Sequence, residues 1–240
     1  ILWGMDFLSA IILGLVQGIT EFLPISSTGH LVLVRQFMEV DMAHSLAIDG
    51  VLHLATTLAI TIYFWSDIWS SIQALIRKMG RLPTNEKDVL LLYALVVGTI
   101  PAVVLGLLLE GFIVAHMQTT VVVASVLFLA SIFFMYTEWR YYLNPPSGQL
   151  TVKKGLLIGV FQAMALIPGF SRSGSTLAGG MLLGLSRLES ARFSFLLAIP
   201  ITLGVGAKKM LELISMEESI NWLPIAVGAV VSFVCALIVI

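Results

Sequence analysis

Gln17-Gly18-Ile19-Thr20-Glu21-Phe22-Leu23-Pro24-Ile25-Ser26-Ser27-Thr28-Gly29-His30 is the stretch that decides the fold. An apolar helical pattern runs into a Pro, then into a cluster of hydroxyls and Gly, and then into a second short apolar pattern. About 145 residues later the same grammar returns as Gln162-Ala163-Met164-Ala165-Leu166-Ile167-Pro168-Gly169-Phe170-Ser171-Arg172-Ser173-Gly174-Ser175-Thr176. Interrupted hydrophobic segments at corresponding places in two halves of a chain point to a midplane site in an inverted-repeat membrane protein.

Composition supports a membrane setting. Of 240 residues, 58% are hydrophobic and 11% charged, where a soluble domain carries about 25% charged residues. Mean hydropathy is +1.01, and several apolar runs reach the ~20 residues that cross a bilayer. A net charge of -1 with no basic tract gives no sign of nucleic-acid binding. The single Cys235 sits in an apolar run and excludes a disulfide framework or a cysteine metal site. The chain begins Ile1-Leu2-Trp3 and stops inside an apolar run, so we expect a fragment that lacks part of the last helices.

Outward from the first stretch, residues 5–23 form one apolar segment, ended by Pro24 because the residue before a Pro leaves the α region. Ser26, Ser27 and Thr28 are N-cap candidates for a short helix over roughly 27–38, too short to span and therefore re-entrant. A polar link follows over 39–45, then a span over 46–65 and a charged loop over 66–88. Further spans are expected at about 89–109, kinked near Gly98 and Pro101, and at 119–139. A Pro/Gly linker covers 140–154. Two short pieces, 155–167 and 174–185, flank the second polar cluster. Spans at 190–212 and from Trp222 complete the chain.

Lys and Arg in short loops set orientation. Arg77, Lys78, Arg81 and Lys87 place 66–88 in the cytoplasm, which by parity also receives Arg140, Lys153, Lys154, Arg187 and Arg192. Nine of thirteen basic residues then lie inside. The count works only if both interrupted segments are hairpins, the first entering from outside and the second from the cytoplasm. We read residues 1–240 as one membrane domain. Repeat 1 covers about 1–142 with its hairpin at 5–38, and repeat 2 about 150–240 with its hairpin at 155–185.

Glu21 and Arg172 are the costliest residues to place, at about 2.5–3.5 kcal/mol for a charge at mid-bilayer on the lenient scale. They should face a polar cavity and find partners. Arg172 offers the planar fork that suits phosphate. It lies in a Gly- and hydroxyl-rich turn that opens a helix, where backbone N–H groups attract anions. Ser26, Ser27, Thr28 and Gly29 provide a second such terminus, and two opposed termini suit a diphosphate. Ser27 becomes a nucleophile given a base, and Glu21 or His30 could serve. Glu21 with Gln17 could instead hold Mg²⁺ or Ca²⁺, hard cations that sit on phosphate oxygens. Asp49 and His53, four apart, are expected to line the site. Thr56, Thr57 and Gln162 are expected at helix–helix contacts. On these residues alone, a phosphatase and a transporter of an anionic substrate stay open side by side.

Together, Gln17-x-x-x-Glu21-Phe22-Leu23-Pro24-Ile25-Ser26-Ser27-Thr28-Gly29-His30 and Pro168-Gly169-Phe170-Ser171-Arg172-Ser173-Gly174-Ser175-Thr176 resemble the undecaprenyl-diphosphatase family linked to bacitracin resistance. The likeness includes Phe193-Ser194-Phe195-Leu196-Leu197-Ala198-Ile199-Pro200 and covers nearly the whole chain. The resemblance implies an all-α integral membrane protein with inverted-topology repeats, about six transmembrane helices (the last incomplete here) and two re-entrant helical hairpins. It implies hydrolysis of undecaprenyl diphosphate to the monophosphate in the inner (plasma) membrane, with the site toward the extracytoplasmic face. A divalent cation, membrane lipids and a second copy of the chain in a homodimer are the expected partners; a polyprenyl-phosphate flippase is the alternative. By matching position, Glu21, Ser27, His30 and Arg172 are implied to be catalytic. Ser26, Thr28, Gly29, Ser171, Ser173, Gly174 and Thr176 would bind substrate, with Glu21 and Gln17 at the metal. Gln17 stands where the family pattern admits Glu or Gln, so Glu21 carries the acidic role alone.

Overall fold

The computed structural model describes residues 6–38, 45–117, 119–215 and 220–240; the polar link expected at 39–45 lies almost wholly outside them. The described residues form α1 Phe7–Thr20, α2 Ser27–Phe37, α3 Ser45–Tyr63, α4 Trp65–Met79, α5 Glu86–His116, α6 Thr120–Leu143, α7 Val152–Met164, α8 Arg172–Leu182, α9 Arg187–Ile214 and α10 Trp222–Val239. This is an all-α membrane protein. Four helices, α5, α6, α9 and α10, are each long and apolar enough to cross a bilayer, and α3 with α4 makes a fifth candidate bent by 68°. Their outward faces carry large apolar side chains, among them Leu107, Leu108, Phe128 and Ile238, as lipid contact requires.

Two segments differ from the sequence expectation. The loop expected over 66–88 contains α4, whose Trp65, Trp69, Ile72, Ile76 and Met79 form one exposed row while Ser71 and Ala74 are buried against the bundle. Its charges had disguised an amphipathic helix. α5 continues through Pro101 to His116 rather than ending near residue 109.

Close glycine contacts fix how the hairpins sit. Gly14 and Gly18 of α1 abut Gly228 and Ser232 of α10, so the two helices run in the same direction. Gly155 and Gly159 of α7 abut Ala94 and Gly98 of α5 in the same manner. At Gly14 or Gly159 an added Cβ would collide with backbone of the neighbouring helix. Small residues four apart are what let membrane helices approach this closely. α3 and α9 run antiparallel, with Gly50 beside Lys209 at one end and Asp67, just past α3, paired to Arg192 at the other. Lys208 pairs with Glu110, which makes α5 and α9 parallel. α10 packs on α3 and runs parallel to it, with Ile225 near Ile48, Ser232 bonded to the Leu52 carbonyl and Ala236 near Ile60. Because α3 is antiparallel to α9, α1 and α7 point in opposite directions. The hairpin α1–α2 therefore enters from one end of the molecule and α7–α8 from the other.

The two halves superimpose in sequence number as well. Thr57 Oγ1 donates to Thr202 Oγ1 at 2.7 Å, a contact between residues 145 apart. The same offset relates Gln17 to Gln162, Ser26 to Ser171 and Gly29 to Gly174. The Thr57–Thr202 contact therefore sits where a pseudo-two-fold axis would cross the α3–α9 seam.

Candidate active site

Each hairpin turns at a serine held in the left-handed region. Ser26 and Ser171 both have φ 65, and each accepts the N–H three residues on, from Gly29 and Gly174. Such a backbone costs on the order of 1–3 kcal/mol for a non-glycine residue, and it recurs at equivalent positions of both hairpins. Gly169, at φ 101 and packed on the Val123 carbonyl, completes the second tip. The result is two helix N-termini, those of α2 and α8, each capped by a serine and brought tip to tip.

The tips are joined by side chains. Arg172 donates to Glu21 Oε1 across the two hairpins. Ser173 Oγ donates to the Leu23 carbonyl at 2.9 Å. Glu21 Oε2 accepts from Ser27 Oγ at 2.8 Å and from Gln17 Nε2 at 2.9 Å, and lies 3.1 Å from His53 Nδ1. Gln17 Nε2 also lies 2.8 Å from His53 Nδ1. The Glu21 carboxylate is buried, so these contacts replace the water it has lost. Arg172 keeps Nη1 buried without a partner among the described residues.

A cavity of about 280 Å³ adjoins this cluster. Glu21, Ser26, Ser27, Thr28 and His53 line one side, and Gln162, Ser171, Arg172, Ser173 and Thr202 the other. Its apolar wall includes Ala102, Ile201 and Val205, from the halves of α5 and α9 that lead to the Glu110–Lys208 pair.

Of the residues singled out from sequence, Glu21, Ser27, Arg172, Ser173, Ser26, Thr28 and Ser171 gather here. Gly29 and Gly174 give their N–H groups to the cap serines and pack on Leu127 and Phe134 of α6. Two residues stand elsewhere. Thr176 is fully buried, bonded to the Arg172 carbonyl and to Ser194, so it ties α8 to α9 instead of facing the cavity. His30 places Nδ1 2.9 Å from the Ser26 carbonyl, one turn back on its own chain, and makes no bond to Ser27 or Glu21. The imidazole beside Glu21 belongs to His53. Its expected companion Asp49 pairs instead with Arg35, in a buried bridge joining α2 to α3. Thr57 is at a helix contact as expected; Gln162 lies on the buried face of α7 and also lines the cavity.

Among the described residues, no cluster of three His, Cys, Asp or Glu side chains is arranged to hold a metal. Gln17 Oε1, buried beside Glu21 without a partner among the described residues, is an oxygen donor suited to a hard cation. The set fits a cation that brings further oxygen ligands with it.

Comparison with known proteins agrees with this geometry. The profile of the bacitracin resistance protein BacA family matches residues 10–240. The chain belongs to the BacA family. Curated relatives include an undecaprenyl-diphosphatase of Alteromonas mediterranea, 39% identical over 97% of this chain and 86% of the relative. Another is that of Methanosphaera stadtmanae, 38% identical over 90% of this chain and 81% of the relative. A third is that of Myxococcus xanthus, 39% identical over 95% and 77%. The BacA match spans both hairpins and every residue of the cluster just described.

Proposed function

We propose that this protein hydrolyses undecaprenyl diphosphate to undecaprenyl phosphate and inorganic phosphate, recycling the lipid carrier for cell-wall polymers. The observation that carries the reading is the contact set Ser27–Glu21–Arg172, drawn from two opposed hairpins and bordering a cavity inside the membrane. Membership of the BacA family and the relatives named undecaprenyl-diphosphatase support it.

The chemistry follows from the hydrogen bonds already made. Glu21 takes the Ser27 proton as Oγ attacks the terminal phosphorus. The bond from that phosphorus to the bridging oxygen breaks, and undecaprenyl phosphate leaves with the electron pair. Water then releases phosphate from the seryl ester, and the proton held on Glu21 returns to Ser27. Arg172 holds the diphosphate by charge, and the N-termini of α2 and α8 stabilise charge on the transferring group. Direct attack by water gives the same products; Ser27 is preferred because its hydroxyl already donates to Glu21 at the head of α2. His53 and Gln17 hold the carboxylate in place, and His30 secures the Ser26 carbonyl at the turn. A divalent cation, Mg²⁺ or Ca²⁺, would be held by Glu21 and Gln17 and would offset charge on the phosphate oxygens. The basic residues clustered at the end where α5, α7 and α9 begin support a plasma-membrane orientation with that end cytoplasmic and the cavity extracytoplasmic.

Purified protein in detergent, with no membrane to cross, is expected to release phosphate from undecaprenyl diphosphate in a cation-dependent way. Absence of release, with binding retained, would refute hydrolysis and favour movement of the lipid.

A further inference from the structure

Gln162 is 2% exposed, lines the cavity, and has neither amide atom bonded to protein among the described residues. Its counterpart under the 145-residue offset, Gln17, is bonded to Glu21 and His53 and approaches Thr56. The positions that would serve Gln162 in the same way are Leu166, Ala198 and Ile201. None has a side chain that forms hydrogen bonds. The second half thus keeps the glutamine and lacks the residues that would satisfy it. A buried carboxamide left without partners costs about 1–3 kcal/mol, and this one borders the cavity that also borders Arg172, whose Nη1 is likewise unpartnered.

We propose that Gln162 and Arg172 Nη1 form the seat for the second phosphate of a diphosphate, the group that is not attacked. Ser27 and Glu21 lie on the opposite hairpin, so the attacked phosphate rests on that side and its neighbour reaches hairpin α7–α8. The amide N–H groups of Gln162 donate to phosphate oxygens, as a neutral partner to the guanidinium. The seat gives the site its preference for two linked phosphates over one. Its role in catalysis rests on the diphosphatase reading, but the seat itself is a binding claim about inorganic anions.

Calorimetric titration of the detergent-solubilised protein with inorganic diphosphate and with orthophosphate tests it without requiring turnover. Wild type is expected to bind diphosphate more tightly. Gln162→Met, which keeps length and removes the amide, should reduce that preference about tenfold, as expected for losing a hydrogen bond to a charged group. Gln162→Glu should reduce it further by adding a like charge. In hydrolysis assays the same variants should raise KM for the lipid diphosphate more than they lower kcat. If Q162M fails to fold, Q162N, which withdraws the amide by one carbon, is titrated instead and should lose the preference similarly. A diphosphate-to-orthophosphate ratio unchanged from wild type in a folded variant overturns the proposal. Wild type that binds diphosphate with the expected preference but never hydrolyses the lipid would refute the diphosphatase reading alone.

Discussion

Hairpins α1–α2 and α7–α8 share a backbone plan and divide the chemistry between them. Both have a buried Gln on the entering helix, a Ser at φ 65 nine residues later, and a Gly N–H bonded to that Ser. The first adds Glu21 and Ser27 and gains His53 from α3, so its polar groups are wired to one another. The second places Leu166 at the Glu21 position and Arg172 at the Ser27 position, and leaves the Gln162 amide and Arg172 Nη1 buried at the border of the cavity without a partner among the described residues. Two hairpins entering from opposite ends supply two opposed helix N-termini. In the proposed mechanism one half supplies a base with its nucleophile and the other an anion seat. A symmetric pair of either kind would place like charges tip to tip.

The largest effect expected from breaking this division is at Glu21. Glu21→Gln removes the base and leaves Arg172 without its carboxylate, and should lower kcat by about 10³-fold, within the range for general-base loss. Phosphate release under saturating substrate measures it; activity near wild type would show that Glu21 is only a bridge. Arg172→Lys keeps the charge but loses the planar fork, so a fall in kcat/KM of about 10²-fold is expected. A loss below threefold would mean that position 172 contributes charge alone.

His53 sharpens the comparison further, because its counterpart is Ala198. His53→Ala should lower kcat about tenfold by loosening Glu21, while His53→Gln, able to donate to the carboxylate, should recover most of that loss. Equal damage from both substitutions would assign the ring a role beyond holding Glu21. The smallest effect is expected at the pseudo-axis. Thr202→Val removes the bond from Thr57 and should destabilise the protein by about 0.6–1.7 kcal/mol, as hydrogen bonds between membrane helices do. Thermal unfolding reads it, with turnover nearly unchanged; a large loss of turnover would show that the α3–α9 seam transmits to the site.

Much of this was legible in the sequence, for definite reasons. Pro24 and Pro168 interrupt apolar runs too short to span, so the hairpins announce themselves. The cost of placing Glu21 and Arg172 in a bilayer marks both as residues that face a polar cavity and need partners. α4 was hidden because Asp67, Arg77 and Lys78 outweigh its apolar row in a hydropathy reading, although Trp65, Trp69, Ile72, Ile76 and Met79 repeat at helical spacing. The imidazole was assigned to His30 because sequence proximity favours a residue three from Ser27. The turn at Ser26 instead directs His30 onto a backbone carbonyl, and α3 delivers His53 from the side. Gln162 is a buried helix residue, as a membrane amide usually is, and its place at the cavity is signalled by its position nine residues before Ser171, matching Gln17 before Ser26, with Leu166 where the acid would be.

The central claim is that Ser27 of one hairpin attacks a diphosphate held by Arg172 of the other. Rapid mixing of the protein with undecaprenyl diphosphate labelled on its terminal phosphate, followed by acid quench and peptide mass analysis, tests it most directly. The account predicts a transient phosphoryl group on the peptide containing Ser27, formed with a burst of undecaprenyl phosphate and absent in Ser27→Ala. Steady turnover with no labelled peptide, together with substantial activity in Ser27→Ala, would contradict it.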